Sequence, residues 1–361
     1  MAFAKKAEEA PKLTIEAPIG STEKWKRILA LSKTLDEKHG RKNSLVRLGD
    51  KVGELLPSIC TGMPTFDYEV SQTGGIPDGR VIEIFGPESA GKTSWTLHVI
   101  GEAQRSDKIA AFIDAAHTID PTWAMVLGVD VDNLVVNQPD SGEKALQVVD
   151  ELVDSQAVGL IVVDDVASLV PEAELAGEIG DTHMGLQARM MSQALRVLTA
   201  KCARNKVTVI FINQIRDKIG VMFGSPETTP GGKALRFYAS MRLDVRRREK
   251  ITGKNADDII GHEIRLKAVK NKCGVPFRET TVNLSYSQGF DKVSDMIAYA
   301  AKRGLFETSG SWYSIGGERI ANGLPNLKIA LRERPELVEK VKSGIAKVLA
   351  ADVETATAKG Q

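Results

Sequence analysis

Nine residues constrain the fold more than any others. Gly86–Ser94 reads Gly-Pro-Glu-Ser-Ala-Gly-Lys-Thr-Ser, after the apolar run Val81–Phe85 and before the helix-like Trp95–Ile100. Strand, glycine-rich loop and helix at this spacing form a P-loop. Gly86 and Gly91 let backbone N–H groups turn inward around a polyphosphate, with Pro87, Glu88, Ser89 and Ala90 between them and Ser94 beyond. The helix N-terminus adds partial positive charge. Lys92 is placed to reach the terminal phosphates, and the Thr93 hydroxyl to ligate Mg²⁺.

From Val81 the pattern is α/β. Strand-like runs occur at Val81–Phe85, Ile109–Ile113, Leu134–Asn137, Gly159–Val163 and Val207–Ile212. Helix-like segments Thr93–Gln104, Pro121–Leu127 and Glu143–Val153 separate the first four. Near-continuous β-branched and leucine runs predict strands buried on both faces, hence a mostly parallel sheet. Ligands of such sheets lie beyond the carboxyl ends of the strands. There the sequence places Asp114-Ala115-Ala116-His117, then Asp164-Asp165, then Asn213-Gln214. Asp164 follows four apolar residues, as a Walker B carboxylate does. The Gln214 amide is a candidate sensor of the γ-phosphate. Each strand end alone is an ordinary turn; three beside a P-loop point to a site.

The chain has 361 residues, 42% hydrophobic, with a net charge of +1. That supports a real core and gives no bulk pull toward nucleic acid or membrane. Cys60, Cys202 and Cys273 are far apart and form no Cys-x-x-Cys pair, which argues for free thiols. No apolar run is long enough to span a bilayer, and Met1–Pro11 has no signal-peptide core. The expectation is an intracellular protein.

Met1–Gly20 has a disordered composition. Ser21 or Thr22 is a candidate cap for a helix ending at Gly40, with Trp25, Ile28, Leu29 and Leu35 mainly on one face. That helix is either a solvated appendage or one that docks on a neighbouring subunit. Two loops stand out. Glu172–His183 is rich in Gly and acidic residues; Ile215–Lys233 combines Arg216 and Lys218 with Ile219, Val221, Met222 and Phe223. Loops this long are usually functional. Cations for phosphate and apolar groups against bases suit single-stranded nucleic acid; a lid over the nucleotide is the alternative. Beyond lie strand-like Ser240–Arg246 and Glu263–Val269, then Lys270-Asn271-Lys272. Helices are expected at Gly289–Gly304 and Glu336–Leu349, a hairpin around Trp312–Gly317, and a polar tail over Asp352–Gln361.

From about Thr22 to about Leu349 the sequence resembles bacterial-type RecA recombinases. Long motifs carry the resemblance: Gly86–Thr93, Gly177-Glu-Ile-Gly-Asp-Thr-His-Met-Gly185, Ala188-Arg-Met-Met-Ser-Gln193, Phe211-Ile-Asn-Gln-Ile-Arg216 and Lys218-Ile-Gly-Val-Met-Phe-Gly224. Pro226–Thr229, Lys270–Lys272 and Gly310–Tyr313 add to it. The resemblance implies a RecA-like P-loop ATPase core (59–288), mostly parallel, with DNA-binding loops 172–184 and 215–233. Around it would lie an extension (1–20), an N-terminal oligomerisation helix and linker (21–58), a small α+β C-terminal domain (289–350) and a tail (351–361).

It further implies a cytoplasmic, DNA-dependent ATPase of a bacterial cell or phage-infected host, using ATP and Mg²⁺. As a helical homo-oligomer on single-stranded DNA, it would pair that strand with double-stranded DNA and exchange strands, with no membrane partner. Thr93 and Asp164 would hold the metal. Asp120, Trp123 and Tyr286 would hold the adenine. Gln214, Lys92 and, from a neighbour, Lys270 and Lys272 would serve hydrolysis. Met184, Arg189, Arg196, Arg216, Lys218, Ile219, Gly220, Val221, Met222, Phe223, Gly231 and Gly232 would meet DNA. Phe237 would lie at a subunit interface.

Two departures matter. The family pattern after the second strand is Asp-Ala-Glu-His, with the Glu as the base that activates water. Here Ala116 replaces it, and losing a positioned base typically costs about 10²–10⁴-fold in rate. Asp165 stands where the family usually has a small or hydroxyl residue. Asp165 is therefore the candidate replacement base. The alternative is an ATP-binding DNA filament that hydrolyses little. The tail, with Asp352 and Glu354 against Lys359, also lacks the strongly acidic character of many members.

Overall fold

The computed structural model describes residues 22–40, 44–45, 56–178, 185–217, 227–253, 255 and 257–359. The chain divides into two units, Met1–Leu55 and Leu56–Gln361. In the first, helix α1 (Thr22–His39) carries Glu23 in its first turn and Lys38 and His39 in its last, which suits the helix dipole. Ser44 N donates to Asp36 Oδ1 at 2.7 Å and the Ser32 hydroxyl donates to Leu45 O at 3.2 Å, which pins the returning chain to the helix. Ile28, Leu29 and Leu31 are exposed. The extension 1–20 lies outside the described residues.

The second unit opens with a ribbon of β1 (Ser58–Ile59) and β2 (Ile76–Pro77). Then come β3 (Val81–Gly86), α2 (Lys92–Arg105), β4 (Ala110–Asp114), α3 (Pro121–Val126), β5 (Leu134–Asn137), α4 (Gly142–Ser155) and β6 (Leu160–Asp164). A short α5 (Glu172–Leu175) precedes α6 (Leu186–Asn205) and β7 (Thr208–Gln214). The small strands β8 (Arg216–Asp217) and β9 (Glu227–Thr228) pair with each other, and α7 (Ala234–Tyr238) follows. The antiparallel β10 (Met241–Thr252), β11 (Ile259–Asn271), β12 (Glu279–Ser285) and β13 (Gly289–Phe290) complete one nine-stranded sheet, ordered β13-β12-β11-β10-β3-β7-β6-β4-β5. From β10 to β5 every pairing is parallel.

Burial on both faces explains the continuous apolar runs. Leu160, Val162, Ile210 and Ile212 join one core with Trp95, Leu97 and Phe66; Ile161, Val163, Val209 and Phe211 join the other with Val149, Leu195 and Leu198. Alternate side chains of one strand thus serve opposite layers.

The C-terminal elements are α8 (Lys292–Lys302), β14 (Glu307–Ser309), β15 (Trp312–Ile315), β16 (Glu318–Asn322), α9 (Leu324–Glu333) and α10 (Pro335–Lys359). They bury their own core around Tyr299, Phe306, Leu327, Leu331 and Val341. Three expectations need correction. The segment read as a helix from Gly289 begins as strand β13, because Asp291 is the N-cap: its carboxylate accepts from Ser294 N at 3.1 Å. The expected tail from Asp352 continues α10 to Lys359, since its Ala, Val and Glu residues sustain a helix. The two strands after Ser240 reach Thr252 and Asn271, because charged residues extend the ribbon past the buried sheet. No described helix is long and apolar enough to cross a membrane.

Candidate functional site

Register brings the polar strand ends into one row. Gly86 of β3 pairs with Gln214 of β7, and Asp114 of β4 pairs with Asp164 of β6. The helix α2 leaves β3 at this edge and returns the chain to β4, with β7 and β6 lying between the two strands. The P-loop therefore sits where the chain crosses over its neighbours, at the carboxyl ends of the strands.

Two glycines let the loop close. A Cβ at Gly86 would lie 2.1 Å from Val245 O, and Gly91 has φ +92° with Ile264 Cδ1 2.4 Å from its missing Cβ. Lys92 is buried, and its ammonium donates to Gly86 O at 3.1 Å and Pro87 O at 2.6 Å. Burial lowers its pKa, against the pull of Asp164 and Asp165. The Thr93 hydroxyl donates to Asp164 Oδ2 at 2.6 Å. Burial lifts Asp164 to about 6, with Asp165 and Asp114 adding to the effect. Among the described residues no three His, Cys, Asp or Glu gather as a metal set. A lone hydroxyl and carboxylate beside a P-loop fit Mg²⁺, which takes its other ligands from phosphates and water.

Asp114 is buried and shapes the loop after β4. It accepts from Thr118 N at 2.9 Å, Ile119 N at 3.4 Å and Gln138 Nε2 at 3.0 Å. Ala116 N donates to Asp164 O at 3.1 Å, so the Ala116 backbone lies beside the end of β6. Asp165 is 4% exposed. Its Oδ1 accepts from Ser168 N at 2.9 Å and Ser168 Oγ at 2.7 Å, and its Oδ2 accepts from Gln214 Nε2 at 2.6 Å. Of roughly four carboxylate lone-pair sites, one on Oδ2 is left.

A cavity of about 440 Å³ opens in front of Ser89–Ser94, walled by Trp123, His262, Leu284 and Tyr286. Trp123 Nε1 donates to Ser94 Oγ at 3.2 Å, which ties the aromatic to the loop. Asp120 is exposed and caps α3 through Thr122 N at 2.8 Å; it is not part of the cavity wall. His262 is a wall residue that sequence reasoning missed: a lone His some 170 residues from the P-loop carries no signal until β11 is placed beside it.

Near its far end, at Pro230, the loop 215–233 is tied to one residue of β7. Asn213 Nδ2 donates to Pro230 O at 3.2 Å and to the buried Glu83 at 3.0 Å, and Gln214 N donates to Asn213 Oδ1 at 3.0 Å. Arg242 also pairs with Glu83 and covers the Phe85 ring at 4.5 Å. Arg189 and Arg196 are exposed on α6, two turns apart on one face, and Arg216 is exposed on β8. Gly231 N donates to Gln187 Oε1 at 3.1 Å, and Gly231 and Gly232 have φ +77° and +75°. Met184, Lys218, Ile219, Gly220, Val221, Met222 and Phe223 lie outside the described residues. Phe237 is 69% exposed on α7. Lys270 Nζ donates to Phe237 O at 3.0 Å and Lys272 Nζ at 3.3 Å, so both cations cap that short helix within their own chain.

Comparison with known proteins agrees with this geometry. A family model described as the RecA N-terminal domain matches residues 27–291, and one for the RecA C-terminal domain matches 294–350. Protein RecA of Rubrobacter xylanophilus is 48% identical over 316 residues, which are 86% of this chain and 91% of that protein. Protein RecA of Staphylococcus aureus is 49% identical over 305 residues, 84% of this chain and 87% of that one. A P-loop, a strand-end Asp164 beside it and a loop tied to the end of β7 occur here in a chain matched almost throughout, and the chain belongs to the RecA family of DNA-dependent ATPases, which act as recombinases in DNA recombination and repair.

Proposed function

We propose that the protein assembles with ATP as a helical filament on single-stranded DNA, pairs it with homologous duplex and exchanges strands. One observation carries this reading: Asn213, bonded to Gln214 N at the strand end beside Gly86, also ties Pro230 of loop 215–233. A γ-phosphate that draws the Gln214 amide toward it would therefore tighten the loop on DNA. Arg189, Arg196 and Arg216 supply cations for the phosphates of that strand, and residues 172–184 with Met184, Ile219 and Phe223 meet its bases. The exposed apolar side of α1 and Phe237 pack on neighbouring subunits, where Lys270 and Lys272 leave the α7 carbonyls for a neighbour's ATP. Trp123 and Tyr286 flank the adenine, with Asp120 at its rim.

Hydrolysis runs through Asp165. Water attacks the γ-phosphorus, its proton passes to Asp165 Oδ2, and the bond from phosphorus to the β–γ bridging oxygen breaks to leave ADP and phosphate. Lys92 balances charge on the leaving oxygens. Thr93 and Asp164 would hold Mg²⁺, which supplies Lewis-acid neutralisation of the phosphates when bound. Support comes from the carboxylate lost at position 116 and the one gained beside Gln214. A second reading, an ATP-assembled filament with little turnover, draws on the Ala116 methyl.

Strand exchange with ATP and with a non-hydrolysable analogue, side by side, tests the function. Pairing with either nucleotide and release only with ATP is expected. No assembly on single strands with saturating nucleotide sinks the reading. Turnover unchanged in Asp165→Ala removes Asp165 as the base.

A further inference from the structure

We infer that His262 is a positioning residue of the nucleotide cavity, which holds the Tyr286 ring in place as one wall through its hydroxyl. The inference rests on the reading of that cavity as the ATP site. His262 lies on β11 opposite Leu284 of β12, and both residues wall the cavity. Tyr286 follows the end of β12, where its backbone N–H is tied to Ile260 O at 2.9 Å. Its side chain leaves the sheet and is 43% exposed. A half-exposed aromatic beyond a strand end has several staggered rotamers to choose from.

His262 narrows the choice. Its Nδ1 lies 3.2 Å from the Tyr286 hydroxyl, and the two rings pack with centroids 5.7 Å apart at 55°. The imidazole itself is 5% exposed, so it is a fixed post rather than a second mobile group. Burial, with Arg247 nearby, lowers its pKa from the ordinary histidine value and so favours the neutral ring. A neutral imidazole has one donor and one acceptor nitrogen, so either nitrogen state can pair with a phenol. Nε2 is buried with no partner in the protein. A side chain that merely filled space at this position would be an aliphatic or phenyl group with no polar atom left unpaired, so the nitrogen facing Tyr286 is the reason for an imidazole here.

Positioning through the hydroxyl predicts coupling between the two residues. His262→Phe keeps the ring and removes its nitrogens; Tyr286→Phe keeps the ring and removes its hydroxyl. ATP affinity is read by the fluorescence of Trp123 across the cavity, and kcat and KM by DNA-stimulated turnover. Each single variant is expected to weaken ATP binding by about 3–10-fold, the size of one hydrogen bond. The double variant is expected to be no weaker than either single one. KM rises while kcat stays within about two-fold, since the interaction serves ground state and transition state alike. Additive losses, or a Tyr286→Phe variant with unchanged affinity, overturn the inference. The second outcome decides even where His262→Phe folds poorly, because Tyr286→Phe keeps the ring at a residue that is 43% exposed. Lys92→Ala is the control for the cavity itself. Loss of binding there with none in Tyr286→Phe leaves the ATP site standing and this inference overturned; full binding by Lys92→Ala removes both.

Discussion

The Thr93 hydroxyl and the Asp164 carboxylate meet at 2.6 Å, one at the start of α2 and the other at the end of β6. Seventy-one residues of chain separate them, and only the parallel sheet brings them together. The contact means that the hydroxyl and the carboxylate share one small volume, where a divalent cation would take both. Thr93→Val keeps the shape and removes the oxygen. It is expected to raise the magnesium concentration needed for half-maximal turnover by about 10–100-fold, and Thr93→Ser is expected to restore it. A magnesium titration of ATP turnover on single-stranded DNA checks both.

Asp165 and Gln214 give the next prediction. Asp165→Ala removes the carboxylate that accepts the Gln214 amide. Turnover is expected to fall by about 100-fold or more with ATP binding retained. Ala116→Glu in that background returns a carboxylate to the loop after β4 and is expected to recover most of the rate. Equal turnover in Asp165→Ala and in the double variant would show that no base at 116 is missed. Phosphate release kinetics separate these cases.

Much of this site was legible from the chain alone. Val81–Phe85 and Gly159–Val163 read as strands because burial on both faces makes them near-continuous apolar runs, broken only by the buried Glu83, and the P-loop named its own strand and helix. Partnerships across strands were not legible. The Gln214–Asp165 bond links residues 49 apart, and neither type is diagnostic at a strand end. Asn213 as the tie for Pro230, and His262 as a cavity wall, follow from sheet order. The short helix α9 was missed because Pro325 and Asn326 in its first turn look like a loop, whereas proline at a first turn is compatible with a helix.

Phe237 tests assembly separately from folding. It is an aromatic left 69% exposed on a five-residue helix. Phe237→Ala is expected to change unfolding free energy by less than about 0.5 kcal/mol, as for other exposed positions. Filament formation on DNA, followed by light scattering, is expected to fall sharply. A loss of stability with assembly intact would place Phe237 in the fold of its own chain instead.

Gly86 reports on the loop backbone. An alanine Cβ there would sit 2.1 Å from the carbonyl oxygen of Val245, a main-chain atom that moves only with β10. Gly86→Ala is expected to destabilise the protein by about 1–3 kcal/mol and to weaken ATP binding in parallel. Thermal melts with and without ATP check this: a normal melting temperature with normal ATP-induced stabilisation contradicts the close approach.

Asp67, which does not line the nucleotide cavity, sets a pH dependence. It is 1% exposed, accepts from the Thr61 hydroxyl at 2.8 Å and from Cys60 Sγ at 3.3 Å, and burial pushes it up to about 7. In the unfolded chain an Asp titrates near 3.9. Between those values the folded state holds a proton that the unfolded state has released, so stability falls as pH rises from about 4 to about 7 and then levels off. Asp295, pushed by burial to about 6, has the same sign. His98 has the opposite sign. Burial drives it down to about 3, so the unfolded chain takes up a proton below about 6.5 that the fold refuses. Because these slopes overlap, the wild-type profile alone does not isolate Asp67; the difference between wild type and Asp67→Asn does. That difference is expected to shift against the wild type by up to about 1.4 kcal/mol per pH unit between pH 5 and 7, and to be constant above pH 8. Urea unfolding across this range measures it, and a difference that does not vary with pH would mean that Asp67 is ionised in the fold.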